Sequence, residues 1–222
     1  MPASYFDVDG TLVRTNLVHP TLFYLLNQAT PGRTLGRIAK ALLDAPRLAY
    51  AELRDRRLFN EALYEHFRGM SEDRLLTLAD EAFDKVLKPA IYPYARELVT
   101  RCHDEGHEVV IVSGALDFLM QRFAKHIGAD TVIANRLEFM HGLATGRMIP
   151  PVVAGPTKAV LLREHARRNG HDLEQCFAFS DSYSDVPMLS VVGHASAVNP
   201  DAALSRLARA HRWPILHLDR SP

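Results

Sequence analysis

The spacing of apolar positions changes character twice along the chain. Tyr5 to Val8 has the pattern of a short strand and runs directly into acidic residues. No strand pattern then returns for roughly a hundred residues. Within that interval Thr21–Asn27, Leu35–Leu43, Ala51–Phe67 and Glu72–Val86 carry apolar residues at helical spacing, with Ser71 placed to cap the last. From Tyr92 onward helices and strands alternate. Pro93 can open a helix that Gly106 ends, and Val109–Val112 is a fully apolar strand. Leu116–Ile127 reads as a helix stopped by Gly128, Thr131–Ala134 as a strand, and Arg136–Met148 as a glycine-punctuated hairpin or loop. The series continues with a helix at Lys158–Arg168 closed by Asn169-Gly170, a strand at Cys176–Phe179 and a short helix at Val186–Ser190. Gly193–Val198, Ala202–Ala210 and Ile215–Leu218 complete it.

This order implies an α/β fold, a doubly wound parallel sheet into which an all-helical domain is inserted. The expected division is a core of residues 1–15 and 89–222 and a helical cap of residues 16–88. In such a sheet ligands bind beyond the carboxyl ends of the strands, so the loops there are the place to look for chemistry.

Composition narrows the function classes. Lys plus Arg and Asp plus Glu both number 26 among 222 residues, so no net field favours nucleic acid or an acidic surface. Arg163, Arg167 and Arg168 read as a solvated helical face. Cys102 and Cys176 lack CxxC or zinc-ligand spacing and read as free thiols. The eleven histidines, His66, His103, His107 and His126 among them, show no metal-ligand spacing and are expected at surface or helix-end positions. The start, MPASYFDVDG, lacks the basic and apolar regions of a secretory leader, and the most apolar stretch, Ile38–Leu53, is interrupted by charges and Pro46. A cytoplasmic protein without membrane insertion is expected, as a monomer or homodimer. The apolar residues Leu42, Leu43, Leu48 and Tyr50 are expected to pack within the cap.

Four predicted strand ends carry reactive residues. Asp7-Val8-Asp9-Gly10-Thr11 sets two carboxylates two residues apart, before a glycine that lets the backbone approach a ligand. Ser113-Gly114 stands between a strand and a helix, where a hydroxyl and backbone amides can hold phosphoryl oxygens. Lys158, at the mouth of its helix, can offset buried negative charge. Ser180-Asp181-Ser182-Tyr183-Ser184-Asp185 adds two acids on one loop. An acid after a strand is usually a cap or turn residue and a lone lysine is usually on the surface. The joint placement is what points to chemistry. The oxygen-only set of Asp7, Asp9 and Asp181 suits Mg2+ better than zinc, with Asp185 able to orient the metal's waters. Asp7 can attack phosphorus while Asp9 protonates the leaving alkoxide and later activates water.

In order and separation these residues resemble the four motifs of the haloacid dehalogenase-like superfamily. Asp7 to Thr11 look like the first motif, Ser113 the second, Lys158 the third, and Asp181 with Asp185 the fourth. The helical insert resembles the cap of the branch that includes phosphoserine phosphatase. The resemblance implies a magnesium-dependent phosphatase acting on a small phosphomonoester through an aspartyl-phosphate on Asp7. It implies Mg2+ held by the side chains of Asp7 and Asp181 and the backbone carbonyl of Asp9, with Asp185 in support. Gly10, Thr11, Ser113, Gly114 and Lys158 would hold the phosphate. Asn16 stands where phosphoserine phosphatase carries a glutamate for the substrate amine. Arg54, Arg56, Arg57 and Arg68 offer no clear register for its carboxylate-binding arginine. The alternatives are a phosphotransferase with the same intermediate and a non-catalytic phospho-ligand module; a dehalogenase would have little use for Asp9.

Overall fold

The computed structural model describes residues 1–27 and 31–219, apart from the side chains of residues 31–35, 37, 38 and 53. The strands are β1 (Ala3–Phe6), β2 (Glu108–Leu116), β3 (Thr131–Met140), β4 (Leu143–Ile149), β5 (Phe177–Ser180), β6 (His194–Val198) and β7 (Ile215–Leu216). They form one sheet in the order β4-β3-β2-β1-β5-β6-β7, parallel except where β4 returns antiparallel to β3. The 136–148 segment is thus a long hairpin, and its β4 arm makes one edge of the sheet antiparallel. β1 and β2 lie near the centre and are buried on both faces, hence their apolar runs. Phe6, Val109 and Ile111 join the core on one face, and Tyr5, Val110 and Val112 join that on the other. Phe6 stacks on Phe179 of the neighbouring strand at 4.4 Å between ring centroids.

The insert is helical: α1 (Val18–Leu26), α2 (Pro31–Arg54), α3 (Arg56–Tyr64) and α4 (Glu72–Ala82). Two boundaries differ from the sequence expectation. α2 is one helix running through Pro46, which removes a helical hydrogen bond without ending the element. The expected Ala51–Phe67 helix is broken at Asp55, whose side chain accepts the Arg57 N–H at 2.7 Å and starts α3 as its N-cap. Of the cap's apolar stretch only Leu48 packs; Leu42, Leu43 and Tyr50 are exposed. Tyr24 and Tyr64 contact Phe67, and Tyr24 also meets Phe118 of the core at 5.9 Å, closing the cap onto the sheet domain. The chain enters and leaves the insert side by side: Arg14 N–H donates to Ala90 O at 2.8 Å and Tyr92 N–H to Leu12 O at 3.0 Å. The β3–β4 hairpin also reaches the insert, where Gly69 N–H donates to Ala144 O at 2.7 Å and Ala144 N–H to Met70 O at 2.8 Å.

The core helices are α5 (Ala95–Asp104), α6 (Asp117–Ile127), α7 (Pro156–Asn169), α8 (Val186–Leu189) and α9 (Ala202–His211). Gly128 and Gly170 end α6 and α7 in the left-handed conformation, as their sequence positions suggest. Cys102 and Cys176 are free and buried. Arg163, Arg167 and Arg168 are exposed. His66 and His107, expected at surface or helix-end positions, lie just past the ends of α3 and α5 and are buried there. Among the described residues no helix is long and apolar enough to cross a membrane.

Candidate active site

Parallel pairing sets β1, β2 and β5 side by side, so the loops that follow them open at one edge of the sheet. Asp7 is the first residue beyond β1, and its N–H still donates to Phe179 O at 3.0 Å, which fixes its backbone to β5. The chain then turns tightly: Gly10 has φ +81°, and Thr11 and Leu12 N–H both return to Val8 O. A side chain at Gly10 would collide with the Asp181 carboxylate, so glycine is required by space as well as by dihedral. Thr11 joins the two acidic loops. Its hydroxyl lies 3.0 Å from Asp7 Oδ2 and 3.2 Å from Asp181 Oδ1, and it accepts the Asp181 N–H at 3.0 Å.

Lys158 enters from the first turn of α7, behind Gly155 and Pro156. Its ammonium donates to Asp7 Oδ1 at 2.6 Å and to Asp185 Oδ2 at 2.7 Å, and all three side chains are buried. Ser180 Oγ donates to the same Asp185 oxygen at 2.8 Å. Asp185 therefore holds Lys158 against Asp7. Burial alone would lower the Lys158 ammonium, but Asp185 and Asp7 outweigh it and keep the group charged.

The acids are pushed the other way. Burial raises Asp9 to about 7, with the Asp7 charge adding to the rise. Burial, then Asp7 and Asp185, raise Asp181 to about 8. Asp7 is also raised by burial, against the pull of Lys158. Asp7, Asp9, Asp181 and Asp185 face Lys158 and Arg56, and Lys158 is already shared between two of them. The cluster is short of positive charge, and its donors are oxygens, which fits a hard divalent cation.

Asp7, Asp9, Gly114, Lys158, Asp181 and Asp185 line one narrow cavity of about 40 Å³, enough for a few water molecules. Three other candidates stand just behind it: Gly10 and Thr11 in the turn, and Ser113, which is fully buried with Oγ accepting the Ala115 N–H at 3.0 Å. The far wall is made by Asn16, Leu17, Arg56 and Asn60 of the insert. Asn60 had no sequence signal, because a single asparagine on an amphipathic helix is unremarkable until a fold places it. It is 2% exposed; its Nδ2 donates to Val153 O at 3.4 Å, and its Oδ1 has no hydrogen-bond partner in the protein. Of the four cap arginines considered from sequence, Arg56 alone lines this cavity among the described residues. Asn135 was missed as well. Its amide donates to Gly114 O at 2.8 Å and accepts the Val153 N–H at 2.8 Å, holding two cavity walls together.

A domain built this way, with an acidic pair after the first strand, a helix-borne lysine and an acidic loop after a later strand, has the architecture of a phosphate-handling hydrolase. The family model of the haloacid dehalogenase-like hydrolases matches residues 5–190. The chain belongs to the haloacid dehalogenase-like hydrolases and, within them, to the phosphoric monoester hydrolases. It is 35% identical to the inhibition of morphological differentiation protein of Streptomyces azureus, over 98% of this chain and 79% of that one. It is 32% identical to phosphoserine phosphatase SerB1 of Mycobacterium tuberculosis, over 96% of this chain and 70% of that one. A crystal structure of a Bordetella pertussis protein of unknown function shares the fold with a TM-score of 0.85, at 23% identity and 98% coverage of both chains.

Proposed function

We propose that the chain is a magnesium-dependent phosphatase that hydrolyses a small phosphate monoester through an aspartyl-phosphate on Asp7. The observation that carries this reading is Lys158 clamped between Asp7 and Asp185 beside a carboxylate cluster short of positive charge. Asp7, Asp181 and the backbone carbonyl of Asp9 would hold Mg2+, with Asp185 in support. When bound, the ion would offset the acids' charge and that developing on the phosphoryl oxygens. Lys158 steadies the same oxygens, and the Gly114 backbone lines the site where they would sit.

In the first step an Asp7 oxygen attacks phosphorus, the bond to the leaving oxygen breaks, and Asp9 gives that oxygen its proton. A carboxyl raised to about 7 is suited to carry a proton near neutrality. In the second step the Asp9 carboxylate takes a proton from water, which attacks the same phosphorus. Phosphate leaves and Asp7 is regenerated. Residues 16–88 act as the cap and residues 1–15 and 89–222 as the catalytic core, with the paired linkers at Val13 and Ile91 as the hinge.

The leaving group meets Asn16, Leu17, Arg56 and Asn60. Arg56 favours an anionic substituent, and the unpartnered Asn60 Oδ1 favours a hydrogen-bond donor. Phosphoserine, the substrate named for several relatives, offers both, though Asn16 supplies no charge for its amine. The test is phosphate release from a panel of phosphomonoesters with and without magnesium. Asp7→Asn should remain folded and lose turnover, and Arg56→Ala should raise KM most for esters with an acidic leaving group. An Asp7→Asn variant with full activity refutes the mechanism; equal KM changes for acidic and neutral esters refute the role of Arg56.

A further inference from the structure

At the opposite ends of β1 and β2 from the acidic cavity, three side chains converge that the hydrolase chemistry does not use. Glu108 opens β2, His165 lies on α7, and His171 follows the Gly170 turn that ends α7. Their ligand-type atoms all lie within 4.8 Å of one another. His165 is seven residues beyond Lys158 on the same helix, roughly 10 Å along its axis, so the cluster is separate from the phosphate site.

The hydrogen bonds around the cluster fix where its lone pairs point. His171 Nδ1 lies 2.7 Å from the Met1 carbonyl, which only accepts, so Nδ1 carries the hydrogen. The lone pair of neutral His171 is then on Nε2, 2.6 Å from Glu108 Oε2. Asn169 Nδ2, a donor that also reaches the His165 carbonyl, lies 3.0 Å from His165 Nε2, so that nitrogen is an acceptor too. His165 Nδ1 faces the Tyr5 hydroxyl at 3.2 Å, and His165 Nε2 lies 3.4 Å from Glu108 Oε1. Thr131 donates to Glu108 Oε1 at 2.8 Å. His171 Nε2 at 2.6 Å and His165 Nε2 at 3.4 Å thus both lie against the Glu108 carboxylate, and an ion drawn in by that carboxylate would take the His165 lone pair from the exposed Asn169 amide. The outer Nδ1 atoms of the two histidines are already held by Tyr5 and the Met1 carbonyl, as the far nitrogens of metal-binding histidines usually are.

We propose that Glu108, His165 and His171 form a second metal site, which takes a divalent transition ion of the zinc class, with water completing the coordination. Two imidazoles and a carboxylate suit zinc, whereas magnesium prefers oxygen ligands. Ligand atoms about 2.0–2.1 Å from a tetrahedral ion stand roughly 3.3 Å apart. Glu108 presents a different oxygen to each ring, Oε1 3.4 Å from His165 Nε2 and Oε2 2.6 Å from His171 Nε2, so a carboxylate binding through both oxygens would place an ion between the rings once the closer pair widens by less than 1 Å. The side chains retain slight exposure, 11% for His165 and 16% for Glu108, so an ion can enter. The site would tie the start of β2 to the end of α7. The sequence conceals it because Glu108 is far from the two histidines, and the histidines sit six positions apart across a helix end, where helical spacing fails.

The experiment uses the full chain carrying Asp181→Asn, stripped with chelator and kept in excess magnesium, so that zinc at the phosphate site is disfavoured. Calorimetric titration with zinc chloride should give one ion per chain. The cobalt-loaded protein should show the visible absorption of a four- or five-coordinate ion, and X-ray absorption of the zinc form should show two imidazoles. His165→Ala or His171→Ala should weaken zinc binding at least tenfold, and Tyr5→Phe about tenfold through the lost support of His165. Absence of stoichiometric zinc binding in the Asp181→Asn chain overturns the proposal. So does zinc bound without imidazole scattering, a result that does not depend on the histidine variants folding.

Discussion

The electrostatics of the acidic cavity make the stability of the metal-free protein depend on pH in a direction opposite to that of most buried ion pairs. Asp9 has an ordinary value of 3.8 and is raised to about 7 in the fold. Because the folded value is the higher one, the folded chain holds this proton more tightly than the unfolded chain. The stabilisation is complete below the ordinary value and is lost as pH rises through about 7. A difference of about three pH units, at 1.36 kcal/mol each, is about 4 kcal/mol. Asp9 keeps partial exposure and shares its field with Asp7, so about 2 kcal/mol is the working figure. For a chain of this length that corresponds to roughly 4–8 °C in Tm. His66, His107, His126 and His165 are held below their ordinary value by burial, and they slope the opposite way below neutrality. The comparison that isolates Asp9 is therefore the Tm of wild type minus that of Asp9→Asn, followed from pH 5.5 to 9 by thermal melts in chelator. Because the loss accrues between the ordinary value of 3.8 and about 7, about half of it lies above pH 5.5, so that difference should fall by roughly 2–4 °C across the range, and saturating magnesium should flatten it. A difference that is constant with pH, or that rises, refutes the assignment of an uncompensated buried carboxyl at Asp9.

Two local predictions follow from backbone geometry. Gly10→Ala places a methyl group against the Asp181 carboxylate at a positive φ, so it should lower kcat strongly while far-ultraviolet circular dichroism stays native; wild-type turnover would contradict the close packing of the two acidic loops. Asp55→Ala removes the cap that starts α3 and should cost about 1 kcal/mol, read as a Tm loss of roughly 2–4 °C. A larger KM without a Tm change would mean that Asp55 acts through Arg56 rather than through the helix.

Much of this protein is decided locally. The apolar strand Val109–Val112, the stops at Gly128 and Gly170, the strand-end positions of Asp7 and Asp181 and the helix-start position of Lys158 are set by side-chain period and backbone preference, which neighbouring residues alone determine. Parallel strands then place their ends together, so the order of the acids and the lysine was already an order in space. What sequence left open depends on contacts between distant segments. Nothing local distinguishes Arg56 from Arg54, Arg57 and Arg68, because which of them faces the cavity follows from the break at Asp55 and the rotation it gives α3. The exposure of Leu42, Leu43 and Tyr50 is likewise a matter of what the cap packs against, since an apolar side chain specifies a preference for burial but not a partner. Asn60, Asn135 and the trio of Glu108, His165 and His171 became visible only in three dimensions: lone pairs and unpaired polar atoms gain meaning from the partners that folding brings to them or withholds.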